Sequence, residues 1–182
     1  MDLPGMIVSR YCGTGVETIA IASQPIQAEQ ADIIIAGGTE SMSLVPTMGF
    51  KTALNYVIAK DNPTYYTSMG LTAEEVSKQF KVSREEQDQF SYESHMKAAA
   101  AWKDGKFKDE VVPITVKEVY VDESMKKKTR EFVVATDEGI RADTTVEGLA
   151  KLRPVFAAGG TVTAGNSSQT SDGAAFVAVM SE

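Results

Sequence analysis

The sequence predicts an α/β fold: a strand–helix–strand piece of a parallel sheet, a long α+β insertion, and a last strand that returns to the first sheet. Three observations carry this prediction. Met6-Ile7-Val8 is a short apolar run with β-branched residues, and it leads through the corner Cys12-Gly13-Thr14-Gly15 into a pattern of helical spacing at Val16, Ile19, Ala20 and Ile21. Ala31 to Gly38 then reads as a second buried strand ending in a glycine pair, so that strand, helix and strand make a βαβ unit with a parallel sheet. At the other end, Gly173 to Met180 is again a continuous apolar run, a buried strand.

The elements follow in order. Met1 to Gly5, with Pro4, is a lead-in to the first strand. The helix after Cys12 runs to about Ala28, with Pro25 bending its last turn, and its small residues suit tight packing on every side. From Thr39 to about Asn62 no single period wins, and loops with short helices are expected. Thr72 is read as the cap of a helix through Val76 and Phe80, with Glu75 completing a capping box. Ser83 and Glu86 repeat that arrangement and open a long helix through Phe90, His95, Met96 and Trp102, which Gly105 stops. Val111 to Val121 and Glu131 to Val134 are strands, Pro113 marks a strand start, and the charged segment Asp122 to Arg130 is the tip of their hairpin. Arg141 to Ala150 is a loop followed by a short helix. The domains expected are thus a core of residues 1–38 and 161–182 and an insertion of residues 39–160.

Composition excludes several functions. The net charge of −7 argues against a nucleic-acid partner, since a phosphate backbone needs a basic face, and Lys126-Lys127-Lys128 reads as a solvated loop tip. No apolar stretch reaches membrane-spanning length and nothing at Met1 resembles a signal peptide, so a membrane span is not expected. A single cysteine forms no internal disulfide, which makes a reducing, cytoplasmic setting the default. That cysteine, Cys12, is either a small buried hydrophobe or a nucleophile. Its place on a strand-to-helix corner favours the second, because backbone N–H groups and the positive helix end there face the sulfur.

Ser9-Arg10-Tyr11-Cys12-Gly13-Thr14-Gly15, Ile35-Ala36-Gly37-Gly38-Thr39-Glu40-Ser41-Met42-Ser43, Met69-Gly70-Leu71-Thr72-Ala73-Glu74, Ser83-Arg84-Glu85-Glu86-Gln87-Asp88, Lys151-Leu152-Arg153-Pro154-Val155-Phe156 and Thr161-Val162-Thr163-Ala164-Gly165-Asn166-Ser167-Ser168 stand in one order along nearly the whole chain. In them the sequence resembles the thiolases, which make or cleave the carbon–carbon bond of 3-ketoacyl-CoA thioesters through an acylated cysteine. The resemblance implies a thiolase-like N-terminal half, with the inserted loop domain holding coenzyme A. It makes Cys12 the catalytic nucleophile. Arg141 falls at the position that meets the nucleotide, Ser168 at one that contacts the pantetheine, and Met69, Phe156 and Ala164 along the wall of the arm. From the residues alone each has another reading: Arg141 as a surface ion pair, Ser168 as a turn residue, Met69 and Phe156 as core. Coenzyme A enters as substrate, with no tightly bound cofactor and no metal expected, and a homodimer or homotetramer is implied for the complete protein.

Three positions depart from the family pattern: Ser68 where biosynthetic members often carry histidine, Ser9 where asparagine is common, and Gly148 where a polar side chain could meet the nucleotide. The Gly-His-Pro and Cys-x-Gly segments that supply the family's base and second cysteine are also missing. The chain is therefore expected to be a middle piece of a thiolase, without the first strands and the C-terminal half, and to turn over little alone. The sole histidine, His95, is read as structural or at the surface. Two alternatives stay open: a non-catalytic acyl-CoA-binding or interaction module, and a redox protein, which would want a resolving cysteine.

Overall fold

The structure, a computed structural model, describes residues 4–182; of the lead-in expected over Met1–Gly5, residues 1–3 lie outside the described residues. The chain forms two units, Met1–Asn55 with Thr170–Glu182, and Tyr56–Gln169. In the first, helix α1 (Thr14–Gln27) packs on a two-stranded sheet of β1 (Ile33–Glu40) and β4 (Gly173–Met180). The strands are antiparallel, in register from Ile33 opposite Met180 to Glu40 opposite Gly173. This ladder is the one made with the returning strand; the parallel neighbour expected for β1 at residues 6–8 does not form among the described residues. Met6-Ile7-Val8 is irregular, no described strand lies beside it, and Ile7 is 99% exposed, so no ladder forms there.

Side chains alternate across the sheet. One face carries Ala36, buried at 4% exposure. The other carries Ile33, Ile35, Phe176 and Met180, all exposed, with Phe176 lying over Gly37 so closely that no Cβ would fit there. The fully buried strands expected at both ends of the chain are not found: β1 buries only Ala36, and no residue of β4 is buried. Likewise only Ala22 of α1 is buried, not a helix packed all round. Pro25 lies in its last turn, and the helix closes with Gln30 N–H donating to the Pro25 carbonyl (2.8 Å) and Glu29 N–H to that of Ile26 (3.0 Å). Glu29 takes the left-handed conformation, φ 57°, that this closure requires.

The second unit holds α2 (Tyr56–Asp61), α3 (Met69–Phe80), α4 (Arg84–Lys103), the antiparallel hairpin β2 (Ile114–Val121) and β3 (Lys127–Val134), and α5 (Val146–Ala150). The α4 capping box is present: Ser83 Oγ accepts from Glu86 N–H, and the Glu86 carboxylate accepts from Ser83 N–H at 2.7 Å. Gly105, at φ 70°, ends that helix as expected. The cap expected at Thr72 is instead Ser68, whose Oγ accepts from Leu71 N–H, while the Thr72 hydroxyl donates back to the Ser68 carbonyl. A serine four residues upstream satisfies the same free N–H groups one turn earlier. The hairpin tip is also shorter than its charge suggested. Lys127 to Arg130 belong to β3, where Arg130 faces Glu118 and sets its guanidinium over the rings of Tyr120 (5.7 Å) and Phe132 (5.3 Å). Cross-strand partners thus make strand residues of a basic run.

Candidate functional site

Cys12 is at the centre of a 3₁₀ turn, Tyr11–Gly13, that runs directly into α1. It is exposed, which removes the reading of a packed hydrophobe. Three contacts hold the turn. Gly13 N–H donates to the Arg10 carbonyl at 3.1 Å. Thr14 Oγ1 accepts from Arg10 N–H and donates to the Tyr11 carbonyl, each at 2.8 Å. Outside them, the Arg10 guanidinium pairs with Glu17 at 2.8 Å, bridging the turn to the first helical turn. Tyr11 itself stands at φ 51°, a conformation costly for a residue with a Cβ. The chain therefore accepts backbone strain next to the one thiol and clamps it from both sides.

In the second unit the structure brings some of the predicted residues together. The Phe156 ring lies over Gly70, with no room for a Cβ, and so beside Met69 in the chain. Neither is core, Met69 being 76% and Phe156 44% exposed, which leaves a wall of apolar side chains open to a ligand. Arg141 is exposed and, among the described residues, makes no ion pair. Its main-chain N–H donates to Nδ1 of His95 at 3.2 Å, so the histidine has a structural role. Ala164 and Ser168 are exposed on the turn after Thr163, and Ser168 Oγ donates to the Gln169 carbonyl at 3.2 Å. Of the departures, Ser68 is occupied as the α3 cap, and Gly148 N–H donates to Thr145 Oγ1, the cap of α5.

That turn is held by side chains to which the sequence assigned no role. Glu74 on α3 accepts from Thr161 N–H (3.0 and 2.9 Å), Val162 N–H (2.9 Å) and the Thr161 hydroxyl (3.2 Å). Partial burial works to raise its carboxyl, but these bonds outweigh it and hold it below its ordinary value of 4.5. Asp88 on α4, 2% exposed, pairs with Arg84 at 2.7 Å and accepts from Asn166 Nδ2 at 3.0 Å. Asn166 also donates to the Thr161 carbonyl (3.0 Å) and accepts from Thr163 N–H (2.7 Å), while Arg84 reaches the carbonyls of Leu149 (2.7 Å) and Leu152 (3.0 Å). Glu74, Arg84, Asp88 and Asn166 all stand inside the six motifs that carry the resemblance. The readable signal was a carboxylate one helical turn after Arg84 and an asparagine in a glycine-containing turn, polar groups that need partners when buried.

An open cavity of about 430 Å³ between the end of α3 and the start of α4 is lined by Phe80, Val82, Gln87, Phe90 and Asn166, and by none of the predicted ligand residues. Among the described residues no group of His, Cys, Asp and Glu could hold a metal ion, and no helix is long and apolar enough to cross a membrane.

Comparison with known proteins agrees with the resemblance. Residues 1–182 match the family described as thiolase, N-terminal domain. The chain is 51% identical over 178 residues to a 3-ketoacyl-CoA thiolase of Bacillus subtilis, covering 98% of this chain and 46% of that protein. It is 44% identical over 180 residues to the peroxisomal 3-ketoacyl-CoA thiolase 1 of Arabidopsis thaliana, covering 98% of this chain and 40% of that one. The crystal structure of the dimeric peroxisomal thiolase of Saccharomyces cerevisiae superimposes with a TM-score of 0.73 at 34% identity, over 93% of this chain and 41% of that chain. The chain thus spans less than half the length of these relatives.

Proposed function

Since this chain belongs to the thiolase family, matching its N-terminal domain along its whole length, we propose that it supplies the nucleophile and the coenzyme A-binding insertion of an acyltransferase that cleaves or forms 3-ketoacyl-CoA in fatty acid metabolism. The observation that carries this is Cys12, exposed on a clamped turn at the head of α1. In the proposed step Cys12 Sγ attacks the thioester carbonyl. Its bond to the acyl carbon forms, the carbon–sulfur bond to coenzyme A breaks, and the thiol proton goes to the departing coenzyme A sulfur. The acyl cysteine then awaits the second transfer. Met69 and Phe156 would flank the pantetheine, with Ala164 and Ser168 on the same wall and Arg141 at the phosphates.

The domain reading proposed with this function keeps residues 1–38 and 161–182 as core and residues 39–160 as insertion, the latter joined to the turn at 161–168 by Glu74 and Asp88. A homodimer or homotetramer is proposed for the whole protein, in the cytoplasm, where a lone exposed thiol stays reduced. The dimeric yeast thiolase supports the assembly. Turnover is assigned to more than this chain. It carries neither the Gly-His-Pro nor the Cys-x-Gly segment, and its one histidine is engaged with Arg141.

Intact-mass spectrometry after incubation with acetyl-CoA tests the assignment. An acetyl adduct on the chain, absent in Cys12→Ala, is expected. Coenzyme A binding with no adduct would instead support a non-catalytic acyl-CoA-binding module.

A further inference from the structure

The residues 135–145 that carry Arg141 form neither helix nor strand. A guanidinium on such a segment is placed only as well as its main chain is held. Two bonds fix the main chain at Arg141: its carbonyl accepts from Thr144 N–H at 3.2 Å, closing a local turn, and its N–H donates to His95 Nδ1 at 3.2 Å. The second is the tie that leaves the segment. His95 lies midway along the 20-residue α4, the helix whose first turn is fixed by the Ser83–Glu86 capping box and by the buried Asp88 with Arg84 and Asn166. The imidazole is part-buried and acts as acceptor at Nδ1, which places its proton at Nε2.

The geometry points to His95 as a positioning residue for anion recognition: through Nδ1 it ties the Arg141 main chain to α4, so that the guanidinium is presented at one place to the phosphates of a nucleotide-bearing thioester. This rests on the proposed role of Arg141. It also gives the chain's single histidine a task other than taking the thiol proton. A flexible arginine loses conformational freedom on meeting a phosphate, and a main chain held beforehand lowers that cost. The ring nitrogen meets a backbone donor, so the requirement is for an acceptor at the Nδ1 position. Asparagine supplies one with Oδ1, whereas alanine does not.

The test uses the full chain with coenzyme A and pantetheine as probes. His95→Ala is expected to raise the Kd for coenzyme A about five-fold, the loss of one hydrogen bond, while leaving that for pantetheine unchanged. His95→Asn restores coenzyme A binding, and His95→Ala adds nothing in an Arg141→Ala background. The Arg141 amide, read by hydrogen exchange in solution NMR, is protected in the unaltered chain and in His95→Asn and exchanges freely in His95→Ala. Equal protection in His95→Ala overturns the inference, as does an equal loss for both probes. An Arg141→Ala variant that binds coenzyme A normally, or an unaltered chain that binds none, overturns instead the reading on which it rests.

Discussion

At Tyr11 the backbone is left-handed, φ 51°, and the side chain is 84% exposed, so the phenol returns little for the strain it imposes. Replacing it with glycine removes the Cβ clash and adds chain entropy to the unfolded state, and the two effects leave a net gain of about 0.5–1 kcal/mol. Urea titration of Tyr11→Gly checks this; a loss of stability would mean that the ring makes a contact that outweighs the strain. Glu74 gives a prediction in pH. Its folded carboxyl lies below the ordinary 4.5, so its contribution is complete above that value and drains away as pH falls through the lower folded one. Unfolding midpoints followed from about pH 6 to about pH 3 should therefore fall less steeply in Glu74→Gln than in the unaltered chain. Parallel curves would show that the bonds to Thr161 and Val162 contribute nothing to folding.

Among the elements, α4 organises the second unit, because its first turns carry both the capping box and the buried carboxylate. Asp88 satisfies Arg84 and Asn166 at once, and through Asn166 it reaches the turn at Thr161 and Thr163. Asp88→Ala leaves a part-buried guanidinium and an amide without their partner and should cost about 3 kcal/mol. Thermal unfolding measures it. Ser83→Ala, which removes only the cap at the exposed helix end, should cost about 1 kcal/mol. Equal costs for the two would place the burden on the helix end and not on the buried cluster.

In the molecule as a whole, the first unit exposes an apolar sheet face. Ile33 (61%), Ile35 (72%), Phe176 (60%) and Met180 (56%) share one side of β1 and β4 with nothing described above them. Contiguous apolar area of this kind drives association. Sedimentation velocity should find the purified chain self-associating as concentration rises. Ile35→Lys with Phe176→Lys should shift it towards monomer, since both changes put a charge on that face and neither touches the one packed on α1. A monomer at every concentration for the unaltered chain would sink this expectation.

How much of this was legible depends on the range of the interaction concerned. The Ser83–Glu86 box, the Gly105 stop, the helix after Cys12, the last strand at Gly173–Met180 and the family itself were all readable, because each rests on neighbours in sequence or on motifs in order. Which residue capped α3 was not, since Ser68 and Thr72 compete for the same donors and only the path of the chain chooses between them. The partner of β1 was not readable for a related reason: a βαβ pattern assumes that its two strands pair, whereas the described ladder of β1 is made with β4, remote in sequence. Strand faces, hairpin length and the bonds of Glu74, Asp88 and His95 to distant main chain were decided by tertiary structure alone. The sequence by itself determined the helix start after Cys12 and the order of the elements that follow, because these are written in local chemistry. The fold decided what holds the Cys12 turn and the turn at residues 161–168, because a hydrogen bond needs its partner within about 3 Å and only folding brings the two together.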